Sequence, residues 1–339
     1  MAQDTIILGA GASRQFGFPL GKTLHTDILA ATEQLERYAS DHKNIGLPPT
    51  GAHNARQFCE EGIVALASYL ASPLARDFYV SDVQRKRGAQ AIVDFGKDLH
   101  RATHDSVDRF IGDNPSHQFI GKILLCHQIL LQMYEYRDGV YFRKNFASRE
   151  FTGRRNWYNL LINHIRSEYL KKKINIVTFN YDLSLDVTLE QCLNATERHR
   201  DVNFSEFVDI FHVNGAPSEA PAKLTDVGQY LMRSAQRLHL VDEAASSQIQ
   251  AMRDAVRERI RGSARVYIMG FHFDGSNVES VGLREGGDKT RFFCLNFDGH
   301  RGVHIEAQNL GLASGAIWAG TVAQPFFIDE ALDKGFLRL

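Results

Sequence analysis

Near the amino terminus, residues 5–13 are Thr-Ile-Ile-Leu-Gly-Ala-Gly-Ala-Ser. The apolar run Thr5–Leu8, which stops at a glycine, is typical of a buried parallel strand followed by a tight turn. Glycines let a turning backbone approach a diphosphate closely, and free backbone N–H groups at such a turn can bind it. We therefore predict a nucleotide-binding turn, with a plain strand-to-helix turn as the alternative. This predicted turn comprises Gly9, Ala10, Gly11, Ala12 and Ser13.

Strand-like apolar runs also occur at four places in the second half of the chain. They lie at residues 174–179, 208–211, 266–270 and 291–295. Helical patterns, including a long polar one at about residues 223–261, separate these runs, and this alternation is typical of an α/β fold with a parallel sheet. Between about residues 56 and 170 helical spacing prevails, with no strand pattern of comparable strength. We predict a Rossmann-like, doubly wound parallel sheet formed by residues 1–45 and 171–339, with a large helical insertion at 46–170.

Composition excludes several classes of protein. The 339 residues carry 39 Lys and Arg against 40 Asp and Glu, a net charge of −1, whereas proteins that bind nucleic acid through its phosphates are usually basic. The four cysteines lie far apart without a CxxC pair, which argues against a disulfide scaffold and a four-cysteine zinc site. No apolar run approaches the roughly 18 residues of a membrane span, and no basic segment opens the chain. We expect a cytoplasmic protein without membrane or direct nucleic-acid partners.

Polar side chains or glycine follow each predicted strand of the second half. They are Asn180 and Asp182, then His212, then Gly270 with Asn277, and finally Asn296. One asparagine after a strand is usually a turn former, and one histidine is usually structural. In an open α/β sheet, however, ligands bind outside the carboxyl ends of the strands. Counting the first strand with its glycine-rich turn, five predicted strands end in small or polar residues at that edge, and this recurrence favours a binding site.

One histidine pattern could hold a metal. His100, His104 and Asp108 are spaced to share one face of a predicted helix. The chain has 14 histidines, so such spacing arises readily by chance, and no glutamate follows the first histidine as in zinc proteases. We interpret this pattern as a solvated helix face and expect no metal site.

The polar segments, taken in order, resemble the motifs of the sirtuin (silent-information-regulator) family. Residues 9–19 resemble the GAG-S…G-P opening of sirtuins, and Thr178–Asp182 resembles their TQNxD motif in the T-x-N-Y-D form of bacterial sirtuin-like proteins. Residues 211–215 resemble the strand-ending histidine motif, and residues 268–277 resemble the G-F-x-F-D-x-x-N segment of the bacterial branch. The predicted insertion matches none of these motifs.

Three differences from protein-deacylating sirtuins narrow the resemblance to one branch of the family. Asn214 stands where a second His or a Gly is usual, and His212 follows Asn180 at a wider spacing than in deacylases. The chain also lacks the four-cysteine zinc ribbon that deacylases carry after the histidine. With these differences, the chain resembles the branch of bacterial sirtuin-like proteins that consume NAD⁺ as effectors of antiphage defence.

The resemblance implies hydrolysis of NAD⁺, as substrate, to nicotinamide and ADP-ribose. The nicotinamide ring of NAD⁺ is already positively charged and departs as a neutral molecule, so its departure needs no strong acid. Cleavage instead requires groups that stabilise an oxocarbenium-like transition state of the ribose and that hold and deprotonate a water molecule. Asn180 would hold the ribose or the water, Asp182 would orient the site, and His212 would act as the base. Binding residues would be Gly9 to Ser13, Gly270, Asn277 and Asn296, the last at the adenosine ribose.

The resemblance also implies restraint, because constant hydrolysis of NAD⁺ would kill the host cell. We expect control by assembly into a homo-oligomer or by a separate protein, such as a HerA-type ATPase or an Argonaute-like protein. The main alternative is a non-enzymatic NAD⁺ or ADP-ribose-binding module that regulates a larger complex. Protein deacylation is disfavoured by the missing zinc ribbon, and hydride transfer by the third glycine of the dehydrogenase fingerprint, which is displaced to Gly17.

Overall fold

The structure is a computed structural model. It describes residues 3–41, 82–102, 104, 106–137, 140–146, 157–158, 161–162, 173–194, 204–240, 243, 246–285, 287–296 and 299–319. The strands are β1 (Thr5–Leu8), β2 (Tyr134–Arg137), β3 (Val140–Arg143), β4 (Ile174–Thr178), β5 (Val208–His212), β6 (Lys223–Leu224), β7 (Val266–Met269), β8 (Phe292–Asn296) and β9 (Ile317–Ala319). The α-helices are α1 (Gly21–Asp41), α2 (Asp82–Arg101), α3 (Val107–Asp113), α4 (Gln118–Met133), α5 (Ser184–Asn194), α6 (Val227–Arg237), α7 (Ser247–Gly262), α8 (Gly275–Ser280) and α9 (Arg301–Asn309).

The chain divides into two compact units. The first comprises residues 1–18, 145–215 and 244–339, and the second comprises residues 19–144 and 216–243. Helix α1 and residues 216–243 thus group with the second unit, although the sequence assigns both to the Rossmann domain. Much of the predicted insertion lies outside the described residues, so the predicted domain boundaries stay a prediction.

A six-stranded parallel sheet forms the first unit, in the order β5-β4-β1-β7-β8-β9. Numbered along the chain within this sheet, the order is 3-2-1-4-5-6, which is that of a Rossmann domain. The predicted α/β class is confirmed, and so are the five predicted strands. Strand β9 was not predicted, because three residues are too few to form a recognisable pattern.

The central strands of the sheet are buried because they consist largely of apolar residues. Ile6, Ile7 and Ile268 are completely inaccessible to solvent. Ile7 and Ile268 share a core cluster with Val256 and Ile260 of helix α7. Val256 and Ile260, which lie one helical turn apart on α7, thus cover one face of these strands. Near-continuous apolar runs are typical of strands that are buried on both faces.

The second unit contains helices and a small antiparallel sheet in the order β2-β3-β6. The β2–β3 hairpin corrects the prediction that only helices occupy this region. Strand β2 alternates tyrosine with charged residues, whereas β3 reads Val-Tyr-Phe-Arg. Each strand has just four residues, and the long helical pattern before them obscures such short strands. The predicted polar helix at 223–261 is also wrong in one respect, since it is two helices. Asp226 caps α6 and Ser246 caps α7, each accepting a backbone N–H in the first turn.

The predicted histidine face does not form. Helix α2 ends at Arg101 and α3 begins at Val107, so His100, His104 and Asp108 do not lie along one helix. His104 instead pairs with Asp113, with 3.2 Å between Nε2 and Oδ2. Across the described ranges, no helix combines the length and apolar character needed to cross a membrane.

Candidate functional site

The strand register brings the carboxyl ends of the central strands into line. Leu8 pairs with both Thr178 and Met269, and Thr178 pairs with His212. Backbone pairing continues one residue further, because the Val213 N–H donates to the Thr178 carbonyl at 2.9 Å. The polar residues that follow these strands therefore lie at one edge of the sheet, as the sequence predicts.

Asn180 connects the end of β4 to the glycine-rich turn after β1. Its side-chain Nδ2 donates to Ser13 Oγ at 2.8 Å, and its backbone N–H donates to Thr178 Oγ1 at 3.1 Å. The side-chain oxygen Oδ1 is buried and accepts no hydrogen bond from the described part of the chain. Because a buried acceptor without a donor costs free energy, Asn180 Oδ1 is suited to receive a hydroxyl or water.

Asp182 lies two residues before helix α5 and belongs to a buried polar network. Its Oδ1 accepts the Ser184 backbone N–H at 3.0 Å and the Ser184 hydroxyl. The Tyr158 hydroxyl lies 2.7 Å from the same serine oxygen. Burial raises the pKa of Asp182 above its usual value, and the hydrogen bonds from Ser184 oppose this rise. Asp182 thus has a structural role at the helix start besides any role toward a ligand.

His212 is paired with a carboxylate that the sequence analysis did not identify. Its Nε2 lies 3.2 Å from Oδ1 of Asp186, in the first turn of α5. Burial lowers the pKa of His212, but the charge and hydrogen bond of Asp186 raise it, with smaller contributions from the charge of Asp182 and from the backbone of Asn180, and the net shift is upward. The one available sequence signal is the position of Asp186, one helical turn after Asp182.

The hydrogen bond to Asp186 also selects the free nitrogen of His212. An ionised carboxylate only accepts hydrogen bonds, so the proton of the neutral imidazole is assigned to Nε2. Nδ1 then carries the lone pair, and it is buried with no partner in the described residues. His212 can therefore take up a proton at Nδ1 while Asp186 stabilises the resulting cation.

The glycines after β1 are required by contact between two loops. A Cβ atom on Gly9 would lie 2.5 Å from the Gly270 carbonyl oxygen, and one on Gly11 would lie 2.8 Å from the Gly270 Cα. Gly270 itself has φ of +60°, and its Cβ would lie 2.2 Å from the Ala12 nitrogen. The loops after β1 and β7 consequently pack backbone against backbone where the strand order reverses.

The predicted diphosphate turn differs from its expected form. The backbone N–H groups of Gly9, Gly11, Ala12 and Ser13 all donate to backbone carbonyls of the protein. Residues 10–12 and 14–16 form short 3₁₀ turns, and no α-helix begins until Gly21. The prediction that this turn presents free backbone N–H groups at the start of a helix is therefore wrong for this conformation. Diphosphate binding by residues 9–13 stays a prediction.

The loop after β7 carries backbone strain beside Asn180. Phe273 has φ of +57°, a conformation that costs a non-glycine residue about 1–3 kcal/mol. Its ring packs edge-on against Phe271, and Phe271 in turn lies 4.9 Å, between ring centroids, from Phe179. Because Phe179 immediately precedes Asn180, this aromatic contact ties the position of the strained loop to that of the site.

The two remaining predicted binding residues have different surroundings. Asn296 is buried, and its Nδ2 donates to the His300 carbonyl at 3.0 Å, which closes the turn before α9. Asn277 lies on α8, and its Oδ1 is buried and accepts no hydrogen bond in the described ranges. A local structural role thus accounts for Asn296, whereas the free acceptor of Asn277 leaves a role in binding open.

No protein-family model matches this chain, and no curated protein matches it either. The likeness to sirtuins consequently rests on the sequence motifs alone. Within the part of the chain that the structure describes, no three His, Cys, Asp or Glu side chains are grouped so that they could hold a metal ion. The residues that the structure does bring together in one buried network are Ser13, Tyr158, Asn180, Asp182 and Ser184, with His212 and Asp186 beside them.

Proposed function

We propose that this chain hydrolyses NAD⁺ to nicotinamide and ADP-ribose. The observation that carries the proposal is the pair formed by Asn180 and His212 at the carboxyl edge of a Rossmann-type sheet. Asn180 offers a buried, unpaired acceptor, and His212 offers an unpaired nitrogen backed by a carboxylate. A neutral amide and a histidine base are the groups that hydrolysis at a sugar carbon with a good leaving group requires.

In the proposed reaction, water attacks the anomeric carbon of the nicotinamide ribose. The carbon–nitrogen bond breaks, and its electron pair neutralises the positive ring nitrogen as nicotinamide departs. Asn180 Oδ1 accepts a hydrogen bond from the water or a ribose hydroxyl, and His212 Nδ1 takes the proton that the water loses. The nearby carboxylates of Asp182 and Asp186 favour the positive charge of the transition state and of the imidazolium.

The biological role that we propose for this activity is supported by the sirtuin-like sequence motifs alone. We propose an effector that depletes cellular NAD⁺ during antiphage defence and is held inactive until it assembles or meets a partner. A HerA-type ATPase or an Argonaute-like protein is the kind of partner that the resemblance implies. Under this proposal, the specific activity of the purified chain rises with its concentration if self-assembly is the control.

Replacing Asn180 with alanine is expected to reduce nicotinamide release about 100-fold or more, because the group that positions the water or the ribose is removed. Release is measured by chromatography of NAD⁺ reaction mixtures. Asn175→Ala is the matched control, because Asn175 is also a buried asparagine but lies near the amino end of β4, whereas Asn180 follows its carboxyl end. The Asn175 side chain donates to Gln3 and Thr5. Full activity of the Asn180→Ala variant would exclude the proposed mechanism.

Replacing Asp186 with asparagine is expected to shift the pH profile of hydrolysis to lower pH. His212 must be neutral to act as a base, so kcat of the wild type rises with pH through a pKa that Asp186 holds above the usual value near 6.5. Without this carboxylate the burial of the imidazole prevails and lowers that pKa. The measurement is kcat against pH for both proteins, and superimposable profiles would contradict the pairing.

A further inference from the structure

Asn214 is a buried amide whose orientation is fixed by one backbone contact. Its side chain is almost fully buried, and its Nδ2 donates to the Phe179 carbonyl at 3.3 Å. A backbone carbonyl can only accept a hydrogen bond, so the nitrogen of the amide must face Phe179. Oδ1 must therefore point elsewhere, and it is buried without a donor in the described part of the chain.

The turn after β5 places this amide near the two residues of the proposed chemistry. Val213 and Asn214 lie in that turn, which the Gly215 N–H closes by donating to the His212 carbonyl at 3.0 Å, so Asn214 stays close to His212 along the chain. The carbonyl that holds Asn214 belongs to the residue directly before Asn180.

We propose that Asn214 binds the substrate directly, with Oδ1 accepting a hydrogen bond from a neutral N–H or O–H donor of the dinucleotide. This inference rests on the proposed function, since it assumes a ligand at the same edge of the sheet. Three kinds of donor in NAD⁺ have this chemistry: the carboxamide N–H of nicotinamide, a ribose hydroxyl and the 6-amino N–H of adenine. An anionic group at this position would face the carbonyl oxygen of the amide and be rejected.

The position of Asn214 distinguishes it from an asparagine that is merely buried. Asn175 also has a buried Oδ1 without a donor, but it pairs with Thr5 at the amino end of β4, away from the site. A free acceptor therefore indicates a ligand here because it coincides with the carboxyl edge and with His212 and Asn180. Asn175→Ala provides a control for the loss of a buried amide.

The test measures ligand binding by titration calorimetry in a His212→Ala background, so that NAD⁺ is not consumed. Asn214→Ala is expected to weaken NAD⁺ binding about 5- to 10-fold, the effect of losing one neutral hydrogen bond. If ADP-ribose binding is unchanged, the donor is the nicotinamide carboxamide; if it weakens equally, the donor is a ribose hydroxyl or the adenine amino group. The carboxamide case also predicts weak binding of nicotinic acid adenine dinucleotide by the protein with Asn214 intact.

A second variant keeps the test decisive if the alanine variant does not fold. Asn214→Leu keeps the approximate shape without a buried charge but has no acceptor, so it should also weaken NAD⁺ binding about 5- to 10-fold. Unchanged affinity in either folded variant would overturn the inference. A wild type that binds NAD⁺ but releases no nicotinamide overturns the proposed hydrolysis alone, whereas one that binds neither NAD⁺ nor ADP-ribose overturns both.

Discussion

Replacing His212 with alanine is expected to lower the rate of nicotinamide release about 100- to 10,000-fold, the range over which a positioned general base acts. The alanine variant cannot take the proton from the attacking water at Nδ1. It also leaves the carboxylate of Asp186 without its imidazole partner. The loss should fall mainly on kcat, because the base acts in the transition state and contributes little to binding of the ground state.

His104→Ala is the matched control for this variant. His104 also pairs through Nε2 with an aspartate at 3.2 Å, but it belongs to the second compact unit. Its replacement removes the same kind of pair at a residue outside the proposed catalytic set, and we expect nicotinamide release to stay within about 2-fold of the wild type. Retention of more than one tenth of the activity in His212→Ala would show that another group is the base.

Replacing Gly270 with alanine is expected to destabilise the first unit by about 3 kcal/mol or more, the sum of backbone strain and overpacking. The residue has φ of +60°, and a Cβ atom would lie 2.2 Å from the backbone nitrogen of Ala12. The three heavy atoms nearest to the new methyl group are all main-chain atoms of Gly11 and Ala12, so no side chain can rotate to make room for it. Urea unfolding followed by circular dichroism measures the difference in the free energy of unfolding.

Gly275→Ala is the control in the same loop region. A Cβ atom there has no other heavy atom within 4 Å, and the residue begins helix α8. The expected change in the free energy of unfolding is within about 0.5 kcal/mol. If Gly270→Ala were equally harmless, the loops after β1 and β7 could not pack backbone against backbone.

The sequence predicts the sheet well because its strands are buried on both faces. Runs such as Ile174–Thr178 and Val266–Met269 are fully buried, largely apolar and followed by polar or glycine residues, so their pattern is local. The hairpin β2–β3 and the break between α6 and α7 were missed because short strands and helix caps give weak local patterns. Strand β9 is recognisable only through its pairing with β8.

The candidate site is predictable where strand ends determine it and not where folding creates it. Asn180 and His212 follow predicted strands, so their meeting at one edge depends only on strand order and register. The partnership of His212 with Asp186 and the bond from Asn180 to Ser13 depend on the tertiary fold. The glycines illustrate the same division, since their positions were predicted but their cause, the approach of Gly270, lies about 260 residues away in the chain.

The central claim is tested most directly by product analysis of the purified chain incubated with NAD⁺. Reactions over a wide range of protein concentrations allow for control by self-assembly, and chromatography quantifies NAD⁺, nicotinamide and ADP-ribose. We predict that nicotinamide and ADP-ribose accumulate in equal amounts as NAD⁺ disappears. Saturable NAD⁺ binding with no nicotinamide at any protein concentration would contradict hydrolysis and identify a non-enzymatic binding module instead.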